Sequence, residues 1–332
     1  MQLHKRFIRL IVAFTLWGCL VSTVLSQSQR FGIVIHGGAG KILRSNMTSE
    51  SEAEYTNKLN EVLEAGYKIL DKGGSALDAV NAAINLMEDS PLFNAGKGAV
   101  LTEKGIAELD ASIMDGKNLM AGAVAGIRHV KNPINLARLV MEKSPHVMMI
   151  GDGAEEFGKE NNIEMVENSY FITKERWGQY QKMLEKAEER KKAEKHGTVG
   201  AVALDKRGNL AAGTSTGGMM MKKFGRVGDA PIIGAGTYAN NNTCAVSATG
   251  HGEYFIRLGI ARDISSLMEY KNYSLIEAAN EVIIKKLGKL GGDGGIIAID
   301  KNGNIALPFN TEGMFRGYRL NNDQPVVKMY NE

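Results

Sequence analysis

The spacing of apolar positions changes several times along the chain, and each change marks a predicted element. Residues 31–40, FGIVIHGGAG, form a near-continuous apolar run, predicting a buried strand that enters a glycine-rich turn. From Ser49 to about Leu70 apolar residues return at helical spacing, with Tyr55, Leu59, Val62, Leu63, Tyr67 and Ile69 on one face. Gly73 and Gly74 stop that helix. Ser75 opens a second, with Asp78 three residues on as in a capping box, and Leu77, Val80, Ala83, Ile84 and Met87 facing inward. It ends near Glu88, with Pro91 shortly after. Residues 92–116 read as turn, strand, turn, strand. In the second strand Leu109, Ala111 and Ile113 alternate with Asp110 and Ser112, as in a half-buried strand. Residues 132–144 read as a helix beginning at Pro133.

The pattern then changes. Residues 174–195 are crowded with Lys, Glu and Arg and carry few apolar side chains, predicting a solvated helix that frays into a mobile linker through residue 197. Past Thr198 strands dominate. AVALDKRGNLAAGTSTGGM at 201–219 echoes IIAIDKNGNIALPFNTEGM at 296–314. Each reads as a hairpin whose turn needs a glycine with positive φ, Gly208 and Gly303, and the echo suggests neighbouring strands of one sheet. Helical spacing returns at 252–268 and 274–287. This order fits antiparallel sheets covered by helices, an α+β fold, better than an alternating parallel one.

Composition adds limits. A chain of 332 residues with 44% hydrophobic positions can bury a large core. Residues 1–26 join Lys5, Arg6 and Arg9 to an apolar run from Ile11 to Leu25. This is the pattern of an export signal cut after Ser26, with an uncleaved anchor as the alternative. The formal charge of +3 resides in that leader, and the remaining chain is neutral. Nothing global then favours nucleic acid or an anionic membrane. Of two cysteines, Cys19 lies in the leader, which leaves Cys244 without an intramolecular disulfide partner or a cysteine zinc site.

HGGAG at 36–40 and GGDGG at 291–295 fit neither the dinucleotide fingerprint nor the phosphate loop. His146, His196 and His251 lack metal-ligand spacing. Threonines beside glycines at strand ends remain: Thr198, Thr214, Thr216 and Thr249. Taken alone, Thr198 reads as a strand entry behind a surface segment. A cut before it would expose an α-amine of pKa about 7.7–8.0, able to act as base for its own hydroxyl. Gly197 leaves room for the strain of that cut. Arg226 and Asp229, three apart in a glycine-bounded turn, could read the carboxylate and ammonium of one amino acid, or form a surface ion pair. The Thr249 hydroxyl and Gly250 amide could face an oxyanion, or cap a helix.

HGTVGAVALD, AAGTSTGGM, GRVGDAPIIGAGTYANN and ATGHGE together resemble the isoaspartyl peptidase/L-asparaginase family of N-terminal nucleophile hydrolases, as do IHGGAG, FNAGKGAV, LDASIMDG and GGDGGIIAID. The resemblance runs from Phe31 to the last strand. It implies a four-layer αββα sandwich and self-cleavage between Gly197 and Thr198. The products would be an α chain of residues 27–197 and a β chain of residues 198–332, paired as a homodimer of αβ units. Thr198 would attack asparagine or an isoaspartyl bond, Thr216 would hold its hydroxyl, and Thr249 with Gly250 would form the oxyanion hole. Arg226 and Asp229 would bind the substrate's α-carboxylate and α-ammonium, Gly252 would line that site, and Asn94 would approach the nucleophile. No cofactor is implied for catalysis. Backbone carbonyls of Met87, Glu88, Ser90, Phe93, Ala95 and Lys97 would hold a structural sodium ion. The family's relative glycosylasparaginase suggests sugar-linked asparagine as another substrate, although Gly197 and His251 depart from its expected aspartate and asparagine. An unprocessed, non-catalytic binding protein is the remaining alternative.

Overall fold

The computed structural model describes residues 30–185 and 197–331. The expected leader and residues 186–196, with His196, lie outside the described residues. In chain order the strands are β1 (Gly32–Gly40), β2 (Leu109–Asp115), β3 (Ala121–Ile127), β4 (Met148–Ile150), β5 (Val199–Leu204), β6 (Leu210–Thr216), β7 (Thr237–Ala239), β8 (Cys244–Gly250), β9 (Gly294–Asp300), β10 (Ile305–Ala306), β11 (Gly313–Leu320) and β12 (Val326–Tyr330). Among the described residues one sheet has the order β12-β11-β1-β5-β6-β2-β3-β4 and the other β10-β9-β8-β7. The β3–β4 pair is parallel, and the other strand pairs are antiparallel. The main helices are α1 (Ser49–Asp71), α2 (Ala76–Glu88), α3 (Pro133–Lys143), α4 (Gly151–Glu160), α5 (Lys174–Glu185), α6 (Gly252–Leu258), α7 (Ile260–Lys271) and α8 (Leu275–Asn280), which continues as a π-helix (Glu281–Leu287) and a short α-turn (Gly288–Leu290).

Side-chain alternation builds the layers. In β1, Ile33 and Ile35 pack with Leu59, Val62 and Leu63 of α1, while Val34 packs with Val246 and Ile297 of the smaller sheet. In β5, Ala201 and Ala203 share the first core, and Val202 and Leu204 the second. Ile260 and Ile264 of α7 and Leu275 of α8 join the second core with the smaller sheet. The result is helices, large sheet, small sheet, helices: the α+β, αββα sandwich. Strands covered on both faces lose their polar side, so β5 and β9 are buried along their whole length.

Local signals decide the helix ends. Ser75 Oγ accepts from the Asp78 N–H at 3.1 Å and starts α2. Pro133 occupies the first turn of α3. Gly259, at φ +59°, separates α6 from α7 within the single helical stretch expected there.

Four expectations change. β2 is buried on both faces, because the smaller sheet and residues 230–237 cover the side bearing Ser112. The strand expected before it reduces to one bridge, Leu101 to Ala107. The echoed hairpins lie in different sheets: β5–β6 in the large one, β9–β10 in the small one. Their likeness is local. Asp205 and Asp300 each accept two turn amides, and Gly208 and Gly303 have φ of +80° and +77°. Finally, the glycines after His36 stay within β1, which absorbs them through a register shift between His36 and Gly38. The first half of the charged stretch forms α5, anchored by buried Arg176 and Tyr180.

Candidate active site

The antiparallel pairing of β5 and β6 sets Val199 opposite Ser215, so Thr198, just before β5, is level with Thr216, the last residue of β6. Thr198 Oγ1 donates to Thr216 Oγ1 at 3.1 Å, and the latter also accepts from the Gly218 N–H at 3.0 Å. At the end of β8, Thr249 Oγ1 accepts from the Ala39 N–H at 3.3 Å. Gly250 follows at φ +149°, where a Cβ would lie 2.5 Å from the Asp293 carbonyl oxygen, so no other residue fits.

Thr198, Thr216, Thr249, Gly250, Arg226 and Asp229 line one cleft with Gly197 and Ala39. The cleft is narrow, about 30 Å³, with Gly197 in place. Gly197 presses on β1: a Cβ there would sit 2.0 Å from the Gly38 Cα. Glycine is therefore required before Thr198 by direct backbone contact.

Arg226 and Asp229 do not pair with each other. Arg226 Nε and Nη2 donate to Glu253 Oε1 and Oε2 at 3.0 and 2.9 Å. The first turn of α6 carries Glu253 to this fork, and two parallel charge-assisted bonds win over a single neighbour in the turn. Burial would raise Glu253, but the Arg226 contacts outweigh it and lower its pKa. Asp229 is left buried, with Oδ2 lacking a hydrogen-bond partner, and burial pushes it up to about 7. Gly252 separates the two groups: a Cβ there would lie 2.8 Å from Asp229 Oδ1 and 2.9 Å from Arg226 Nη2. The site thus presents a guanidinium and a bare carboxylate a glycine's width apart.

Asn94 is bound to the loop that follows Thr216. Its Oδ1 accepts from the Val100 N–H at 2.8 Å, and its Nδ2 donates to the Gly218 carbonyl at 2.9 Å. It lines a neighbouring cavity rather than the threonine cleft itself.

In the 87–98 loop, where a cation is expected, two carbonyls converge on Gly98, and of the expected donors only Phe93 is one of them. The Lys97 N–H donates to the Glu88 carbonyl at 2.7 Å and closes the loop. At Gly98 a Cβ would sit 2.6 Å from the Pro91 oxygen and 2.8 Å from the Phe93 oxygen, so carbonyls crowd around bare glycine. Met87, Phe93 and Ala95 are buried, as is Ser90. Glu88 Oε1 accepts from Ser215 Oγ at 2.6 Å and the Ile134 N–H at 3.1 Å, while buried Oε2 lacks a partner. Burial raises this carboxyl to about 8.

Two buried groups near the cleft escape the sequence reading. His36 Nδ1 lies 3.0 Å from the Thr198 carbonyl oxygen, and Nε2 3.0 Å from Ser247 Oγ. Burial pushes this imidazole down to about 3. Its signal was alternation: His36 follows Val34 on the face of β1 that meets the other sheet. Lys222 Nζ donates to the Glu108 carbonyl at 2.8 Å and sits 3.9 Å from Asp110 Oδ2, both side chains being buried. A lysine between Met219-Met220-Met221 and Lys223-Phe224 gives no such signal.

The asparaginase family model matches residues 29–328. The chain belongs to the asparaginase family. Among curated asparaginase-family proteins, the isoaspartyl peptidase of Escherichia coli strain K12 is 52% identical over 311 residues, covering 90% of this chain and 96% of its own length. The isoaspartyl peptidase/L-asparaginase of Xenopus laevis is 45% identical over 284 residues, covering 85% and 90%. That of Mus musculus is 44% identical over 285 residues, covering 85% and 86%. For a member of this family, the threonine cleft described above is the candidate active site.

Proposed function

We infer that the chain is a hydrolase that releases L-aspartate from isoaspartyl peptides and from L-asparagine. The reading rests most on one observation: the Thr198–Thr216 hydroxyl pair shares a cleft with a guanidinium and an orphaned carboxylate. The names of the relatives favour these substrates over sugar-linked asparagine.

Maturation comes first. The Thr198 hydroxyl attacks the Gly197 carbonyl, the peptide C–N bond breaks, and the nitrogen takes the hydroxyl proton. Water then hydrolyses the resulting ester. The products are a Gly197 carboxylate on an α chain of residues 27–197 and a free Thr198 amine on a β chain of residues 198–332. In turnover that amine takes the Thr198 hydroxyl proton. The oxygen, held in place by the Thr216 hydroxyl, attacks the substrate's side-chain carbonyl carbon. The Thr249 hydroxyl and Gly250 N–H stabilise the oxyanion. The leaving nitrogen departs with a proton, and water releases aspartate from the acyl-enzyme. Arg226 exchanges Glu253 for the substrate α-carboxylate, and Asp229 takes the α-ammonium. Asn94 fixes the Gly217–Gly218 backbone beside the hydroxyl pair.

The same proposal gives the 87–98 loop a sodium ion held by carbonyls of Met87, Glu88, Ser90, Phe93, Ala95 and Lys97. It would supply fixed positive charge behind β6. The αβ unit pairs as a homodimer, and the leader exports it. Matured protein incubated separately with a β-aspartyl dipeptide and L-asparagine, with free aspartate quantified, tests the reading. Aspartate from both is expected, and aspartate from neither would overturn it.

A further inference from the structure

A second cavity of about 140 Å³ adjoins the cleft, sharing Gly197 and Ala39 with it. Its walls include Tyr55, Phe93 and Phe315, with Tyr55 and Phe315 stacked at 4.2 Å between ring centroids. A guanidinium also faces it. Arg176, on α5, is only 7% exposed. Its Nε donates to the Gly98 carbonyl at 2.7 Å and its Nη1 to Gln179 Oε1 at 2.9 Å. Among the described residues no carboxylate lies within ion-pair distance of it; Glu175, which lines the same cavity and acts on Arg176 by charge from further off, accepts from Gln179 Nε2 at 3.0 Å. Burial outweighs that distant charge and lowers the Arg176 pKa, so a carboxylate in direct contact would be favoured.

Gly197 forms the partition between the two cavities. Its backbone abuts Gly38, which lines the second cavity. The cleavage proposed above would free Gly197 to withdraw, and withdrawal would join the space beside the Thr198 hydroxyl to the space beside Arg176. The leaving nitrogen of a β-aspartyl dipeptide carries an amino acid with its own α-carboxylate. Ammonia carries nothing.

We propose that this cavity is the leaving-group subsite, in which Arg176 binds the α-carboxylate of the departing amino acid and Tyr55 and Phe315 contact its side chain. The assignment rests on the hydrolase reading above. It separates the two substrates: asparagine turnover does not use Arg176, whereas dipeptide turnover does.

The test compares β-aspartyl-leucine, its C-terminal amide and L-asparagine on matured wild-type protein and on Arg176→Gln. In wild type the free acid is expected to exceed the amide by about 10-fold or more in kcat/KM, the range of a charge-assisted pair. In Arg176→Gln the acid falls to the amide's level, through KM, while asparagine stays within about 2-fold. Equal wild-type turnover of acid and amide would overturn the assignment. That result is also expected if Arg176 instead receives the carboxylate that maturation leaves on Gly197. An acid preference that survives Arg176→Gln, or an equal loss on asparagine, overturns it too. If the variant does not fold, the wild-type acid–amide comparison decides. Failure of wild type on all three substrates strikes the hydrolase reading instead.

Discussion

His36 Nδ1 lies 3.0 Å from the carbonyl oxygen of Thr198, across the β1–β5 pair. A carbonyl only accepts, so Nδ1 carries the proton, and Nε2 accepts from Ser247 Oγ. The direction then propagates: Ser247 accepts from Thr214 at 2.7 Å and Thr214 from Thr237 at 2.5 Å, while the single Ser112 proton faces both Thr237 at 2.8 Å and the Ala230 carbonyl at 2.6 Å. One polarity runs from Thr237 through Thr214, Ser247 and His36 to the carbonyl of Thr198.

Protonating His36 would break that chain. The imidazole is neutral in the fold, with its pKa pushed to about 3 by burial, and titrates near 6.5 when unfolded. Below pH 6.5 the unfolded state therefore binds more protons, and stability falls with falling pH down to about 3. The expected slope from this group is about 1.4 kcal/mol per pH unit. Urea unfolding of Thr198→Ala, expected to stay one chain, measures it. His36→Gln in that background should flatten the slope, and an unchanged slope would remove His36 as its source.

Arg226→Ala should mature normally yet lose substrate. Two charge-assisted contacts are removed, so kcat/KM for asparagine should fall by about 100-fold or more, with KM carrying much of it. Unchanged turnover would dismiss the clamp.

Asp229 sets the acid limb of ligand affinity. Its carboxyl, pushed up to about 7, must ionise to meet an ammonium. Aspartate binding to matured protein, followed by calorimetry, should weaken about 10-fold per pH unit below about 7 and level off above it. In Asp229→Asn the dependence between pH 5 and 7 should vanish.

The cation loop has a separate readout. Exchanging sodium chloride for choline chloride at equal ionic strength should lower the melting temperature of matured protein by several degrees, as linkage to a bound ion requires. Equal melting temperatures would leave the 87–98 loop without its ion.

Much of this was legible in the sequence, for reasons that can be named. Ser75, Pro133, Gly208 and Gly303 act through their own backbones, so local spacing reveals them. Ordered motifs pointed to Thr198, Thr216, Thr249, Arg226 and Asp229, which do share one cleft. The Arg226–Glu253 fork was hidden because 27 residues separate its ends. Burial of both faces of β2 needs a second sheet that no single strand announces. His36 and Arg176 matter through what packs on them, and a charged helix such as α5 reads as surface until its anchor is seen.

The most direct test is the mass and N-terminal sequence of purified protein after long incubation at neutral pH, beside Thr198→Ala. The account expects wild type to yield two chains, one beginning at Thr198, while the variant stays intact and inactive. A folded wild-type chain that remains single would contradict the masked nucleophile and favour a non-catalytic binding protein on this fold.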